Sequence, residues 1–591
     1  MYNRLFSKKH IHVQTIIYTL LLFNTFYISN AHANQTEYKI EHPSWSDTII
    51  STNSSFCRSN GDCGFIEQLT PDKILIKWEK YPLETFSYDK INKVWTSDNF
   101  IPNIEEQYEE LVYSFEEPFI LVNPYGKTPT AAIIKFPTKT DSQILIRIKG
   151  RNQDPDIIYE TSDYKTEHEI EILGLYPGYN NKVIIQAKSK TGKIKTKNIT
   201  IQTVIPKLTE QWFPLVKKDK DFHYYATYSG VVYDENGNVR YLFMPKDEEF
   251  IYFYKNFVYS EQKNGIKKYT LLGKEIKQYA YPDNFYGYMH GINFKENGNI
   301  LVFGTYEGSK AIIDCELQET HRDFVLELDA NTGEALNTYD LAEMLNPDRS
   351  LIVKSTTKEH GKIDWAHTNG IDYDAKNKAI IVSGRHFGIV KISEKTKKPI
   401  WWMTPHQKTE KSGRNGDKGD ISHLLLTAID KKNTPYPLDV QKGIKKANDF
   451  KWPLKTHSIK YLGKGKYSIF DNSGKMWDKT LYTTKNSVAS VYEINDKEKT
   501  VKQLFLKELP EYSEVGSSTI FSSKFQQFFI TLSGVFTENA DFLHNTFIYR
   551  TDLKGNILYK GVLHNDNKEK WAFLIYPYEF YKYNNWPTPE E

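Results

Sequence analysis

The sequence has few cysteines, no surplus of charge of one sign and no long apolar run beyond its N-terminus. Its 591 residues include three cysteines, and 77 basic side chains nearly balance 74 acidic ones. Nucleic acids and anionic membranes are bound by Lys and Arg concentrated on one face, so neither is expected as a partner. Aromatic residues are abundant, with 41 Tyr, 33 Phe and 11 Trp, which predicts large buried cores.

Residues 1–33 have the pattern of a secretory signal peptide. A basic patch at 4–9 precedes an apolar stretch at 16–23, and the tripeptide AHA at 31–33 is of the kind that signal peptidase cleaves. The alternative is an uncleaved membrane anchor. Polar residues interrupt the apolar run, which falls short of the ~20 residues that a bilayer core requires. We therefore expect an exported mature chain that begins at residue 34 and has no stable membrane anchor.

All three cysteines follow the expected cleavage site, and an exported protein can form disulfides. Cys57 and Cys63 enclose the polar segment RSNGD, whose Asn-Gly pair favours a tight turn, so we predict a local disulfide between them. The alternative is two unrelated thiols. Cys315 follows two isoleucines and is predicted to be a small buried apolar residue. No metal-ligand spacing connects the three.

Residues 34–206 are predicted to form an N-terminal β-sandwich domain with an extension. Between 130 and 204, five segments of alternating polarity (AAIIKF, QILIRIK, EIEILGL, KVIIQAKS and NITIQTV) are separated by turn-rich pieces. Short strands at such intervals are typical of an immunoglobulin-like or fibronectin-like sandwich. Residues 34–129 are polar, broken by proline and less readily interpreted, and we treat them as the extension.

From residue 207 to 591, pairs of apolar segments recur around tight turns. Examples are SGVVYDENGNVRYLF at 229–243, HGINFKENGNILVFG at 290–304, NGIDYDAKNKAIIVSG at 369–384 and HSIKYLGKGKYSIF at 457–470. Repeated hairpins over so long a stretch are typical of a β-propeller, so the predicted fold is all-β: a sandwich followed by a six-bladed propeller. The segments DLAEMLNP and LDVQKGIKKAN are the best helix candidates.

Three of these units begin with a histidine. His290 and His457 occupy the same register, and His367 precedes a third copy by two residues. The first strands of propeller blades line the central axis, so these three imidazoles and Arg385 are expected to meet at one funnel and form an anion site. Two alternatives stay open: histidines that only bond to carbonyls in a wet channel, and three ligands of a zinc ion.

At this point the sequence resembles the bacterial periplasmic aryl sulfate sulfotransferases, which move sulfuryl groups between phenols without a nucleotide donor. The motifs that carry the resemblance are YMHGINF, DWAHTNGIDYD with SGRHFGIVKI, KTHSIKYLGKGKYSIFDNSG and SVYEINDKEKTVKQLF, in the family's order. The resemblance implies a periplasmic enzyme without a cofactor, a homodimer, an aryl sulfate donor and a phenol acceptor. The absence of a Walker-type loop agrees with a donor that is not a nucleotide.

The resemblance also implies roles for individual residues. His457 matches the family's nucleophile, which becomes a sulfohistidine in a ping-pong cycle. His290, His367 and Arg385 match residues that hold the sulfuryl oxygens. Apart from the resemblance, a neighbouring imidazolium would ease protonation of the leaving phenolate, and His367 is the first choice and His290 the second for that role. The remaining matches are substrate-contacting positions, namely Asn369 and a hydroxyl among Ser517, Ser518 and Thr519.

One departure from the family concerns the long segment 403–450. Some relatives carry a cysteine pair in this loop, whereas here it has none. We expect this loop, with its GRNGDKGD stretch, to cover the site and influence acceptor choice. Two rival functions remain: a non-catalytic propeller that binds anionic ligands or partner proteins, and a metal-dependent hydrolase of sulfate or phosphate esters.

Overall fold

The computed structural model describes residues 113–206, 208, 210–245, 250–349, 351–352, 358–359, 361–474, 476, 478–535, 545–565 and 575–578. Before residue 113 it describes seven strands. The expected signal segment 1–33 therefore lies outside the described residues. In the described part of the chain, no helix is long and apolar enough to cross a membrane.

The described residues before 113 belong to a compact unit of their own. Its strands are β1 Glu37–Tyr38, β2 Ile50–Ser51, β3 Ser55–Cys57, β4 Cys63–Thr70, β5 Lys73–Trp78, β6 Glu84–Asp89 and β7 Val94–Ser97. Strands β3 to β7 form one antiparallel sheet in chain order. In the β3–β4 pairing Cys57 lies directly opposite Cys63. Their side chains lie outside the described residues, so the disulfide stays a prediction.

The second unit starts with an immunoglobulin-like β domain. Its strands are β8 Phe119–Val122, β9 Ala131–Ile148, β10 Ile157–Glu160, β11 Lys165–Leu173, β12 Asn180–Ser189 and β13 Ile194–Gln202. The first two predicted strands are one 18-residue strand, β9. Its first half pairs with β8 and β11, and its second half pairs with β10 and β12. The polar segment TKTDS continues this strand because exposed positions of a strand tolerate polar side chains.

The rest of the second unit is built almost entirely from short strands. They are β14 Glu210–Lys217, β15 Tyr224–Thr227, β16 Val231–Asp234, β17 Val239–Leu242, β18 Phe250–Tyr254, β19 Phe257–Gln262, β20 Gly265–Thr270, β21 Glu275–Ala280, β22 Phe285–Phe294, β23 Ile300–Tyr306, β24 Lys310–Ile313, β25 Glu316–Glu319, β26 Phe324–Leu328, β27 Ala335–Asp340, β28 Lys358–Glu359, β29 Lys362–Ile363, β30 Thr368–Asp374, β31 Ala379–Gly384, β32 Gly388–Ser393, β33 Pro399–Met403, β34 Thr427–Ala428, β35 Thr456–Tyr461, β36 Lys466–Asp471, β37 Val488–Asn495, β38 Thr500–Glu508, β39 Ser518–Ser522, β40 Gln527–Leu532, β41 Asn545–Thr551, β42 Ile557–Asn565 and β43 Ile575–Tyr578.

Helices are few and short in the described part. They are α1 Leu341–Met344, α2 Leu438–Gln441 and a 3-10 turn at Ser422–Leu424. Both α-helices lie in the segments predicted from the sequence. Asp340 caps α1 by accepting a hydrogen bond from the Glu343 N–H.

The strands from β14 onward form a β-propeller. Among the described residues there are six sheets of four or five strands, with the orders β18-β19-β20-β21, β22-β23-β26-β27, β30-β31-β32-β33, β34-β38-β37-β36-β35, β14-β42-β41-β40-β39 and β17-β16-β15-β43. The last two combine strands from both ends of the domain, which closes the ring and leaves fewer unpaired edges. The all-β prediction of a sandwich and a propeller is confirmed, while the blade count and the domain boundary at 206 stay predictions.

The hairpins form where the sequence predicts them, because apolar segments flank turns that need a left-handed residue. Gly237, Gly298 and Gly465 have positive φ in three of these turns. Apolar side chains from neighbouring sheets then interlock: Ile469 packs in one buried cluster with Trp401. Burying a side chain of this kind contributes about 1.5–3 kcal/mol to the stability of the fold, so the contacts between neighbouring sheets stabilise the positions of their strands.

Cys315 corrects a prediction, because it is exposed rather than buried. It follows Asp314 at the tip of the β24–β25 hairpin, and both residues have positive φ, at 54° and 63°. Two consecutive left-handed residues form a two-residue hairpin turn whose side chains point away from the strands. The apolar Ile312 and Ile313 before it belong to the strand, so they do not predict burial of the turn.

Candidate functional site

The strands that carry the predicted site residues are adjacent. Asn293 of β22 donates from Nδ2 to the Ile371 carbonyl of β30 at 2.7 Å, and Asn369 of β30 donates to the Thr456 carbonyl of β35 at 2.7 Å. In the next pair of sheets, Ser468 of β36 donates to a carbonyl of β39 at 3.0 Å. Strands β22, β30, β35 and β39 are edge strands of four sheets, and these bonds join the four sheets in that order.

The hydrogen-bond ladder is interrupted at the same place in three of these sheets. The register shifts between Gly287 and Ile292 in β22, between Thr368 and Gly370 in β30, and between His457 and Ile459 in β35. A bulge turns a residue out of the regular alternation and is frequent next to functional sites. His290 lies within the β22 bulge, although its side chain is outside the described residues.

The His457 ring is held in one orientation and one tautomer. Its Nδ1 lies 2.8 Å from the Ser517 carbonyl oxygen. A carbonyl can only accept a hydrogen bond, so Nδ1 carries the proton and Nε2 of the neutral ring carries the lone pair. Gly370 packs directly behind this strand: a Cβ on it would lie 3.1 Å from the Ser458 Cα. Such close packing fixes the backbone that carries the imidazole.

Burial lowers the pKa of His457 to about 3, and the positive charges of His367 and Arg385 act in the same direction, while the bond to Ser517 opposes them. In the folded protein this imidazole is therefore neutral far below its ordinary titration range. Since the unfolded chain takes up the proton near pH 6.5, this histidine costs stability as the pH falls from 6.5 towards 3 and has no effect above that window.

We predict that the His457 ring resists protonation well below pH 6. In a protein with ¹⁵N-labelled histidine, its ring resonances should keep the neutral Nδ1–H pattern down to at least about pH 4.5. A His457 midpoint close to pH 6.5, the ordinary value for a histidine side chain, would contradict the described environment.

His367 forms a buried pair with Asp364. The Asp364 carboxylate accepts a hydrogen bond from the His367 backbone N–H at 3.1 Å and a short one from its ring Nδ1. Burial alone would raise the pKa of Asp364, but His367 and Arg322 hold it well below its ordinary value. Burial lowers the pKa of His367, and Asp364 opposes this shift. The carboxylate thus fixes the ring and stabilises its protonated form, as an aspartate does in a catalytic triad.

Two further side chains surround this pair. Arg322 Nη1 lies 3.5 Å from Asp364 Oδ2 and 3.2 Å from His367 Nδ1. His386 packs against His367 with ring centroids 5.1 Å apart and ring planes tilted by 40°, and it bonds through Nδ1 to the Asp364 carbonyl at 2.8 Å. Burial lowers the pKa of His386 to about 3, so this ring is a neutral packing partner.

Arg385 is joined to the same group of residues. Its backbone N–H donates to the His367 carbonyl at 3.0 Å, and its Nη2 bonds to Glu514 Oε1 at 2.5 Å. Glu514 also bonds to Lys455 at 3.0 Å. The guanidinium is thereby held by a residue 129 positions away in sequence.

Of the other predicted substrate contacts, Asn369 and Ser517 have hydrogen-bond partners within the protein. Asn369 donates to the Thr456 carbonyl and accepts from Ser383 at 3.0 Å, so both ends of its amide are engaged within the protein. Ser517 bonds to Ser513 at 2.7 Å. The hydroxyls of Ser518 and Thr519 are buried and have no hydrogen-bond partner in the described part of the chain. Asn369 accordingly tethers the strand that carries His457.

The loop at 403–450 is anchored through Arg414, in the GRNGDKGD stretch. Its guanidinium bonds to Asp340 at 2.8 and 2.9 Å and to Asp323 at 3.1 Å, and its carbonyl accepts from the Ile312 N–H at 2.6 Å. These partners belong to β24, β26 and β27 and their flanks, so the loop reaches the preceding sheet. Its effect on acceptor choice stays a prediction.

Sequence reasoning missed four residues of this group: Arg322, Asp364, Lys455 and Glu514. Asp364 lies three residues before His367, and a carboxylate at that spacing is a signal that the sequence contains. Lys455 lies two residues before His457. Glu514 gives no such signal because the two cations that it bonds, Arg385 and Lys455, lie 129 and 59 positions away in sequence. No cluster of three or more potential metal ligands occurs among the described residues.

The geometry thus defines a propeller in which adjacent edge strands and the segments that flank them carry a buried neutral imidazole, a histidine–aspartate pair and a guanidinium. A sequence model described as arylsulfotransferase (ASST) matches residues 193–569, and one described as arylsulfotransferase Ig-like domain matches residues 119–204. The first match alone covers more than half of the chain. The protein belongs to the arylsulfotransferase family and is a sulfotransferase.

Two proteins named arylsulfate sulfotransferase AssT are similar over most of their length. The one from Lelliottia amnigena is 23% identical over 492 residues, which are 65% of this chain and 79% of the relative. The one from Escherichia coli O6:H1 is 22% identical over 489 residues, with the same two coverages.

Two solved structures are weakly similar to this chain. A protein of unknown function from Bacteroides caccae aligns with a TM-score of 0.28 and 11% identity, over 74% of this chain and 99% of that one. The β-propeller domain of Cps50 (Swd1) from Myceliophteria thermophila aligns with a TM-score of 0.30 and 10% identity, over 62% and 93%.

Proposed function

We propose that the protein is an aryl sulfate sulfotransferase that moves a sulfuryl group from a phenolic sulfate ester to a phenol in two steps, through a sulfohistidine at His457. The observation that carries the proposal is the His457 ring itself, which is buried, neutral and fixed by Ser517 so that Nε2 holds the lone pair. The names of the two similar AssT proteins support the substrate class.

In the first step His457 Nε2 attacks the sulfur, the N–S bond forms and the bond from sulfur to the phenolic oxygen breaks. The three sulfuryl oxygens carry spread negative charge in a loose transition state, as in phosphoryl transfer. Arg385, His290 and His367 are suited to stabilise that charge. The His367 imidazolium gives its proton to the departing phenolate, and the negative charge of the bound ester favours that protonated form.

In the second step a phenol replaces the departed product. Neutral His367 takes the proton of the incoming hydroxyl, whose oxygen attacks the sulfur while the N–S bond breaks. His457 returns to its neutral form and His367 to its protonated form, so protons balance over the cycle. Asn369 acts by tethering the His457 strand, and Ser518 and Thr519 are the hydroxyls nearest in sequence to Ser517 that have bonding capacity left for a substrate oxygen.

The cellular setting is part of the proposal. The signal-like segment at 1–33 and the family resemblance support export to the periplasm, with a sandwich domain at 34–206 and a catalytic propeller at 207–591. Cys57 lies opposite Cys63 in adjacent strands, which supports a disulfide in that compartment. We further propose a homodimer, by analogy with the family.

Steady-state kinetics tests the cycle. With a chromogenic aryl sulfate as donor and a phenol as acceptor, double-reciprocal plots at several fixed phenol concentrations should be parallel, as a covalent intermediate implies. Release of the chromogenic phenol should depend on the acceptor and be unchanged by chelators. Intersecting lines would contradict the two-step cycle, and sulfate release to water that chelators block would favour a metal-dependent hydrolase.

A further inference from the structure

One carboxylate joins two cations next to the proposed nucleophile. Glu514 Oε1 accepts from Arg385 Nη2 at 2.5 Å and from Lys455 Nζ at 3.0 Å, and its Oε2 accepts a short hydrogen bond from the Tyr512 hydroxyl. Lys455 lies two residues before His457 on the same segment. We call Arg385, Lys455, Tyr512 and Glu514 the Glu514 bridge.

The cations of the Glu514 bridge are more deeply buried than the carboxylate. The side chain of Lys455 is 6% exposed, that of Arg385 is 12% exposed, and that of Glu514 is 30% exposed. Burial lowers the pKa of Lys455, while Glu514 opposes that shift. Two positive charges that share one carboxylate oxygen repel each other strongly when little water screens them. Glu514 is therefore what allows both to remain charged and close together.

Glu514 engages only part of the Arg385 guanidinium. Arg385 Nε is buried and has no hydrogen-bond partner among the described residues. The carboxylate holds Nη2, which restricts the positions that the guanidinium can take, and Nε keeps its capacity to donate to a sulfuryl oxygen. A fixed fork of donors binds a tetrahedral oxyanion better than a mobile one, because the orientation is set in advance.

We propose that Glu514 is a positioning residue that also sets the anion affinity of the site. It orients Arg385 and Lys455 for the sulfuryl group and offsets one of their two charges, so that sulfate-bearing ligands bind weakly enough to be released after transfer. The inference rests on the proposed function, because it assigns the substrate anion to the cations beside His457.

The test is Glu514→Gln, which keeps the shape of the side chain and removes its charge. Inorganic sulfate, titrated by calorimetry, should bind at least about fivefold more tightly, because two cations then face the anion without a counter-charge. KM for the aryl sulfate should fall, and kcat should fall about tenfold or more as the guanidinium loses its orientation.

The matched control is Glu511→Gln. Glu511 lies three residues away and has the same kind of partners: it bonds to Lys560 at 2.7 Å and accepts a short hydrogen bond from Tyr549, on β41 and β42. This control should leave both sulfate affinity and kcat within about twofold of wild type. An equal gain in sulfate affinity in both variants would overturn the proposal, because it would show a general effect of net charge.

A double variant separates charge from orientation. Lys455→Gln combined with Glu514→Gln restores the net charge, so sulfate affinity should return to within about twofold of wild type while kcat stays low. If Glu514→Gln does not fold, Glu514→Asp is the alternative variant, because it keeps the negative charge and shortens the side chain by one methylene group. It should lower kcat and leave sulfate affinity unchanged, and an unchanged kcat would overturn the proposal.

The two proposals fail in different ways. If wild type transfers sulfuryl groups but Glu514→Gln binds sulfate no more tightly, the role of Glu514 is wrong and the proposed function stands. If wild type shows no transfer with any phenol but the sulfate shift is present, the anion site is supported and the sulfotransferase cycle through His457 is wrong.

Discussion

Replacing His457 by alanine is expected to lower the rate of sulfuryl transfer by about 10⁴-fold or more, since the loss of a protein nucleophile has effects of this size in other covalent enzymes. The substitution removes the ring that Ser517 orients and leaves Arg385 and its partners in place. Inorganic sulfate should therefore still bind, within about threefold of wild type. The measurements are initial rates with a chromogenic aryl sulfate and calorimetric titration with sulfate.

The matched control for this variant is His423→Ala. His423 is exposed in the 3-10 turn at Ser422–Leu424, and its loss should leave the rate within about twofold of wild type. Melting temperatures of all three proteins establish that they are folded. A His457→Ala protein that is folded and retains more than a tenth of the wild-type rate would exclude His457 as the nucleophile.

The second large effect is expected from His367→Ala, and it should depend on the leaving group. With an ester of an unsubstituted phenol, whose pKa is about 10, the leaving oxygen needs a proton, so kcat/KM should fall about 10²- to 10⁴-fold. With a nitrophenyl ester, whose phenolate leaves readily without a proton, the fall should be less than about tenfold. A series of substituted phenyl sulfates measures the dependence in one experiment.

Asp364→Asn is the companion variant. The amide keeps the shape of the Asp364 side chain but cannot stabilise the protonated ring, so the same leaving-group dependence should appear with a smaller amplitude. Equal losses for all esters in His367→Ala would contradict a role in proton transfer and leave His367 a binding residue. In that case His290 becomes the candidate acid.

Much of the fold is predictable from local sequence, because a propeller is assembled from hairpins with short-range signals. The turns around Gly237, Gly298 and Gly465 need positive φ, and the sequence supplies glycine there. Strand β9 is predicted as two strands because an exposed polar stretch has the composition of a turn. Cys315 is wrongly predicted to be buried because the two residues before it are apolar. The polarity of neighbouring residues does not show that the strand ends there and that Cys315 lies in the hairpin turn.

The candidate site is predictable only in part. The equal register of His290 and His457 is a repeat signal, and the adjacency of β22, β30 and β35 follows from the propeller. The groups that orient the side chains of the site are not predictable in this way. Glu514 reaches Arg385 across 129 residues, and the carbonyl that sets the His457 tautomer belongs to Ser517, 60 positions further along the chain. Such contacts depend on how neighbouring sheets pack, which no local pattern encodes.

The most direct test of the central claim is the mass of the intact protein after brief exposure to an aryl sulfate without acceptor. The account predicts one added sulfuryl group on wild type, located on His457 by fragmentation at neutral or basic pH, discharged by added phenol and absent from His457→Ala. No added mass on a wild-type protein that transfers sulfuryl groups, or the same added mass on His457→Ala, would contradict it.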